Sequence, residues 1–68
     1  MLNDMKLYDI PRHSRINVQV SDGSSYVIFD HIDGMYSYCK TEKGGLLHLA
    51  AGTPLVQDGM HYKIREDV

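Results

Sequence analysis

The chain has 68 residues, of which seven are Lys or Arg and nine are Asp or Glu, so its formal net charge is −2 at pH 7. This length predicts one small domain, residues 1–68, whose core only just offsets chain entropy, and the charge excludes a general attraction to nucleic acid or anionic membrane. A single cysteine excludes an intramolecular disulfide, which leaves oligomerisation as the expected source of added stability.

The first 13 residues predict an extended N-terminal arm. Leu7, Tyr8 and Ile10 can cover one end of the core, and Pro11 cannot donate a ladder hydrogen bond. Residues 1–7 lack an apolar run of signal-peptide length, and no stretch approaches the roughly 20 apolar residues of a membrane span. We therefore expect a soluble, cytoplasmic protein with no membrane partner.

Glycine turns divide the rest of the chain into short apolar runs. Asp22-Gly23, Asp33-Gly34 and Lys43-Gly44 separate segments rich in Val, Ile, Tyr and Leu, and Asp58-Gly59 precedes the last one. An Asp-Gly pair between such runs indicates a β-hairpin. Pro54 predicts a turn or a short 3₁₀ segment, and no helix is expected. The predicted strands are residues 15–20, 25–32, 35–41, 46–51 and 61–65.

This pattern predicts an all-β fold, a five-stranded antiparallel meander that closes into a small barrel or forms a strongly bent sheet. Centring each turn on its glycine pair fixes the strand register. The predicted cross-strand pairs include Arg15 with Asp30, Val18 with Val27, Phe29 with Tyr38, and Cys39 with His48. Because side chains alternate between faces, one face gathers the predicted core: Ile16, Val18, Val20, Val27, Phe29, Tyr36, Tyr38, Leu47, Leu49 and Ala51.

The opposite face of the predicted sheet is polar at its margins and apolar toward its middle. Its predicted contact residues are Tyr26, Ile28, Cys39, Leu46 and His48. An antiparallel sheet usually keeps a polar face toward water, so this set indicates a contact surface. Scattered exposed apolar residues are also ordinary, and the arm or the last strand is an alternative cover. We interpret the chain as a non-enzymatic, homo-oligomeric binding or assembly module whose protein partner is unknown.

The first alternative function is binding of single-stranded nucleic acid. It rests on four basic residues, Arg12, Arg15, Lys63 and Arg65, which come together if the last strand pairs with the first. A positive strip beside aromatic rings such as Tyr62 is typical of small single-strand-binding barrels. Lys and Arg are also common on edge strands, where they discourage edge pairing.

The second alternative is a thiol or metal site at Cys39 and His48. A histidine that takes the thiol proton produces a nucleophilic thiolate, and both side chains can bind a soft metal. A catalytic dyad also needs an orienting group, and a metal site needs a further ligand. A half-buried cysteine beside a surface histidine is the simpler interpretation, so we predict no catalytic residue, no metal and no cofactor.

Two motifs and the strand pattern suggest a known barrel type. Leu7-Tyr8-Asp9 lies near the start of the chain, and residues 51–55, Ala-Gly-Thr-Pro-Leu, lie just before the last strand. In these respects the chain resembles the Src-homology-type, or SH3-like, small β-barrels, which have a Leu-Tyr-Asp entry motif and a 3₁₀ turn at these places. The resemblance implies an interaction or assembly module. Met35-Tyr36 replaces the family's paired tryptophans, so recognition of proline-rich peptides is not implied.

Two further segments, residues 31–39 and 48–55, are similar to small bacteriophage proteins. This second resemblance implies no activity. If a bacteriophage encodes the chain, the expected compartment is the host cytoplasm.

Overall fold

Seven short β-strands make up the computed structural model, which describes residues 5–66. The strands are β1 (Met5–Lys6), β2 (Arg15–Asn17), β3 (Tyr26–Asp33), β4 (Tyr36–Thr41), β5 (Leu46–Leu47), β6 (Pro54–Asp58) and β7 (His61–Ile64), and one 3₁₀ turn spans Leu7–Asp9. The predicted all-β class is confirmed, since residues 5–66 contain no α-helix. Within this range no helix has the length and apolarity needed to cross a membrane. Residues 1–4 of the predicted arm lie outside the described residues.

The strands form one open sheet in the order β1-β6-β7-β2-β3-β4-β5. The last strand, β7, pairs with the first predicted strand, β2, as the nucleic-acid alternative requires. The two run parallel, so the sheet is mixed and the predicted purely antiparallel meander is wrong. Two strands were not predicted, β1 in the arm and β6 after Pro54. Pro54 is the first residue of β6, a position where the missing amide donor is tolerated.

Two hairpins have two-residue turns with the same sequence, Gly-Met. Asp33 pairs with Tyr36 around the first turn, and Asp58 pairs with His61 around the second. Gly34 and Gly59 have φ values of 69° and 65°, a left-handed conformation that glycine adopts without steric cost. Turns at these two glycines are therefore confirmed, but each is centred on Gly-Met, one residue later than the predicted Asp-Gly pair.

The first hairpin, β2 with β3, is shifted by two residues from its predicted register. Ile16 pairs with Val27, and Arg15 pairs with Ile28, so the predicted pair of Arg15 with Asp30 is wrong. The loop between the strands is wider than a two-residue turn and closes through backbone hydrogen bonds within residues 18–25. Because the shift is an even number of residues, the predicted faces of β2 and β3 survive.

The second hairpin, β3 with β4, differs from its predicted register by two residues next to the turn, where Asp33 pairs with Tyr36, and by one residue beyond a β-bulge in β3. Phe29 pairs with Cys39 and His31 pairs with Tyr38, which leaves Asp30 as the extra residue. The predicted pair of Phe29 with Tyr38 is therefore wrong. Phe29 faces the core and Tyr38 lies on the opposite side, because a one-residue shift reverses the faces of a strand.

The core follows this corrected register. Its buried apolar members are Leu7, Ile10, Ile16, Val27, Phe29, Cys39 and Leu55, and Val18, Val20, Leu47 and Leu49 pack against them. The predictions for the β2 and β3 members are confirmed. Tyr36 is 57% exposed and Cys39 is 0% exposed, so their predicted faces on β4 were wrong. The predicted cover of one core end is confirmed for Leu7 and Ile10, but it is wrong for Tyr8, which is 58% exposed.

The Asp22 side chain joins the first hairpin loop to the end of β4. Its carboxylate accepts hydrogen bonds from the Ser24 amide at 2.8 Å and from the Thr41 hydroxyl at 2.9 Å. Thr41 Oγ1 in turn accepts one from the Gly45 amide at 2.8 Å. Hydrogen bonds from Ser24 hold the pKa of Asp22 below its ordinary value, with smaller contributions from Thr41 and Lys43.

We expect Asp22→Ala to lower Tm near neutral pH, because the buried Ser24 and Thr41 groups lose their acceptor. Since the folded pKa is depressed, the stabilisation is complete above the unfolded aspartate pKa of about 3.9 and is lost as the pH falls through the folded value. Thermal melts by circular dichroism check this. The Tm difference between Asp22→Ala and wild type must be smaller in acid than near neutral pH. The control, Asp33→Ala, should have nearly the wild-type Tm at both pH values.

Candidate functional site

The candidate site is a groove on the outer face, the sheet surface opposite the core that carries Tyr26, Ile28, Tyr38, Lys40 and Leu46. Ile28 on β3 and Leu46 on β5 both pair with Lys40 on β4, so the three residues form one row across the sheet. The groove has a volume of about 580 Å³, and Tyr26 and Tyr38 line it together with this row. Leu46 is 61% exposed, so the row presents an apolar side chain to solvent.

Four of the five predicted contact residues, Tyr26, Ile28, Cys39 and Leu46, border this groove. All of these except Cys39 are at least partly exposed. The predicted contact role of Cys39 needs correction. This residue is fully buried and pairs with Leu47 on the core side, so its side chain is not available to a partner. His48 is exposed but lies against Tyr38 and lines a neighbouring pocket instead.

Cys39 and His48 are not the direct neighbours that the sequence predicted. The Cys39 Sγ lies 3.4 Å from Ser37 Oγ, and the His48 Nδ1 lies 3.1 Å from the Ser37 carbonyl oxygen. Burial raises the pKa of the Cys39 thiol, and the Ser37 hydrogen bond only partly opposes it. A raised pKa disfavours the thiolate needed for nucleophilic chemistry. Across residues 5–66 no group of three His, Cys, Asp or Glu residues is placed to hold a metal ion.

One end of the groove is held in place by a chain of polar contacts. The Arg15 guanidinium lies 4.0 Å from the centroid of the Tyr26 ring, a cation–π geometry. Arg15 Nε donates to Asn17 Oδ1 at 2.9 Å, and Asn17 Nδ2 donates to Asp58 Oδ2 at 2.9 Å. These contacts link β2, β3 and β6 and fix the ring of Tyr26 at the groove wall.

The four basic residues of the nucleic-acid alternative are only partly brought together. Lys63 pairs with Asn17 across the parallel strands, which places it on the same face as Arg15. Lys63 and Arg65 line a second groove of about 730 Å³. Arg12 is separate, because its guanidinium binds the Asp30 carboxylate at 3.1 Å.

Sequence reasoning missed a row of three aromatic side chains, His31, Tyr38 and His48. The His31 and Tyr38 rings are stacked, with centroids 4.7 Å apart and planes within 7°. The His48 ring meets Tyr38 edge-on at 4.5 Å and 84°. The prediction had placed Tyr38 in the core, and the bulge in β3 has no obvious sequence signal.

No protein-family model matches the chain, and no curated protein and no solved structure is significantly similar to it. The resemblances to SH3-like barrels and to bacteriophage proteins therefore stay predictions. Any functional conclusion rests on the geometry of the groove and its neighbours.

We expect the Cys39 thiol of the folded protein to react with a disulfide reagent at least about tenfold more slowly than in the unfolded protein, because its reaction requires opening of the core. Absorbance of the released thiolate follows the rate. The matched control is Cys39→Ala with Leu46→Cys, which moves the thiol to an exposed position of the outer face. Equal rates for native Cys39 and this control would contradict the buried placement.

Proposed function

We propose that this protein is a non-enzymatic binding module that associates with a second copy of itself through the outer-face groove. The observation that carries the proposal is the row of Ile28, Lys40 and Leu46, which lines a groove open to solvent. Exposed apolar residues gathered in a concave surface are typical of interfaces.

The charges around the groove also support self-association. Lys40 lies between Ile28 and Leu46 in the row that lines the groove, and Glu42 lines it as well. A two-fold interface brings the same surface of both copies together, so a lysine of one copy can meet a carboxylate of the other. Complementary charge of this kind fixes the register of an interface.

We propose a non-enzymatic function because Cys39 and His48, the one reactive side-chain pair suggested by the sequence, are separated. Cys39 lies in the core and its thiol has a raised pKa, whereas His48 lies against Tyr38 on the outer side. The free Cys39 thiol fits a reducing compartment. We extend the proposal to the cytoplasm, and to the host cytoplasm if a bacteriophage encodes the chain.

We expect Leu46→Asp to weaken self-association at least about tenfold, which corresponds to about 1.4 kcal/mol. The new carboxylate lies across from Lys40, so the fold should be retained. Sedimentation velocity across a concentration series measures the association, and circular dichroism checks the fold.

The matched control for this experiment is Met60→Asp. Met60 is 91% exposed in the turn between β6 and β7, outside the residues that line the groove. Association should survive that change. A wild-type protein that remains monomeric up to about 1 mM, where even weak specific contacts are populated, would overturn the proposal.

Single-stranded nucleic acid is the second candidate, favoured by the position of Arg15 over Tyr26. Aromatic platforms with adjacent cations bind single strands by stacking and phosphate contacts. Lys63 lies on the same face and extends the positive charge beyond Tyr26. The net charge of −2 restricts such binding to this local surface.

We expect Arg15→Ala and Lys63→Ala each to weaken binding of a fluorescent oligothymidine, measured by anisotropy at low salt. Each lost phosphate contact should reduce the slope of log K against log salt by about 0.7. Lys43→Ala, at an exposed turn, is the control and should leave the slope unchanged. If the wild-type protein shows no anisotropy change at low salt, this candidate is wrong.

A further inference from the structure

A third pocket, smaller than the two grooves, lies on the outer face where the β3–β4 hairpin ends. Its lining consists of Asp33, Tyr36, Tyr38 and His48, and its volume is about 350 Å³. Asp33 and Tyr36 are cross-strand partners, and Tyr36 is bridged on its other side to Ala50. Because Ala50 has a small side chain, no large group fills the space beside Tyr36.

The aromatic walls of this pocket are held in defined positions. Tyr38 is stacked against His31 and makes a T-shaped contact with His48. The planes of Tyr38 and His48 are 84° apart, so two walls meet at nearly a right angle. Tyr36, which is 57% exposed, supplies a further ring. Its position two residues before Tyr38 on β4 puts both rings on the same face.

The acidic group of this pocket is not neutralised by any described neighbour. Within residues 5–66 the Asp33 side chain makes no hydrogen bond and no ion pair. The nearby Asp30 behaves differently, because its carboxylate binds both Arg12 and His31. The hairpin-end pocket therefore combines aromatic rings with an unpaired negative charge.

We propose that the hairpin-end pocket binds an alkylated ammonium ion of the trimethylammonium class. The faces of aromatic rings attract cations, and rings that enclose a quaternary ammonium are a known means of recognising it. Methyl groups replace the N–H donors of a simple ammonium, which is compact and strongly hydrated, so the methylated cation loses less hydration on entering. The Asp33 carboxylate adds charge complementarity. This inference is independent of self-association, since its residues other than Tyr38 do not line the groove.

The first test is an NMR titration of the wild-type protein with choline and with its neutral isostere, 3,3-dimethylbutan-1-ol. Ring currents should move the choline methyl resonance upfield, and amide resonances of residues 33–38 and 48 should shift on the protein. We expect choline to bind about fivefold more tightly than the isostere, because only the cation gains the attraction of the rings. Equal affinities, or no shift with choline at tens of millimolar, would overturn the proposal.

Two further ligands distinguish a modified lysine side chain from a small-molecule headgroup as the natural source of the trimethylammonium group. Nε-trimethyllysine binding as well as or better than choline would indicate a modified lysine side chain as the natural ligand, and preferential binding of choline would indicate a small-molecule headgroup. Either result supports the shared trimethylammonium chemistry. Unmodified lysine should bind at least about fivefold more weakly than its trimethylated form, and equal binding of the two would contradict the proposal.

Two pocket variants and two control variants locate the site. Tyr36→Ala and Asp33→Asn should each weaken choline binding about fivefold, and Tyr8→Ala should not. Tyr8 is a matched control because it is 58% exposed and lies outside the pocket lining. Leu46→Asp, designed to weaken self-association, should leave choline binding unchanged. Failure of both pocket variants to weaken binding would show that the site is elsewhere.

Discussion

An extra residue in β3, Asp30, decides which side chains of the sheet face the core. The bulge lies where residues 12–14 run along β3 and hold it. The Phe29 amide donates to the Ser14 carbonyl at 2.8 Å, and the His13 amide donates to the Phe29 carbonyl at 2.7 Å. The Arg12 guanidinium binds the carboxylate of the bulged residue itself, Asp30. Residues 12–14, the lead-in segment to β2, therefore fix the position of the bulge. The bulge in turn decides which side chains of β4 face the core.

The two faces that result have different chemistry. On the core side, β4 contributes Ser37, Cys39 and Thr41, all buried, and the hydroxyl groups are bonded to carbonyl, thiol or carboxylate groups. On the outer side the same strand presents Tyr36 and Tyr38. A small domain gains little from burying two tyrosine hydroxyls without partners, so this arrangement keeps the core compact and leaves the rings for contact. Both the groove and the hairpin-end pocket depend on it.

The predicted face of β2 was correct, because its register error was an even number of residues, and that of β4 was wrong, because its error beyond the bulge was odd. The turns at Gly34 and Gly59 were predictable because their Asp-Gly pairs stand between apolar runs. Ile16 and Val27 were placed correctly in the core although the register was wrong, since an error of two residues preserves faces. Cys39 and Tyr38 were exchanged, because the bulge displaces β4 by one residue. Nothing in the composition around Asp30 marks a bulge, which depends on tertiary contacts with the lead-in segment. For the candidate site, the outer-face positions of Tyr26 and Leu46 were predictable, but the aromatic row was not.

The parallel pairing of β7 with β2 has a consequence for biosynthesis. It joins Ile16 to Tyr62, so the middle of the sheet is completed only after all the strands between β2 and β7 have been translated. Until the β6–β7 hairpin emerges, a nascent chain exposes one edge of the three-residue strand β2, and contacts so distant in sequence form slowly. An unoccupied edge of this kind accepts a strand from any neighbouring copy. On a polysome that carries several growing chains, the β6–β7 hairpin of one copy therefore competes for the β2 edge of another copy.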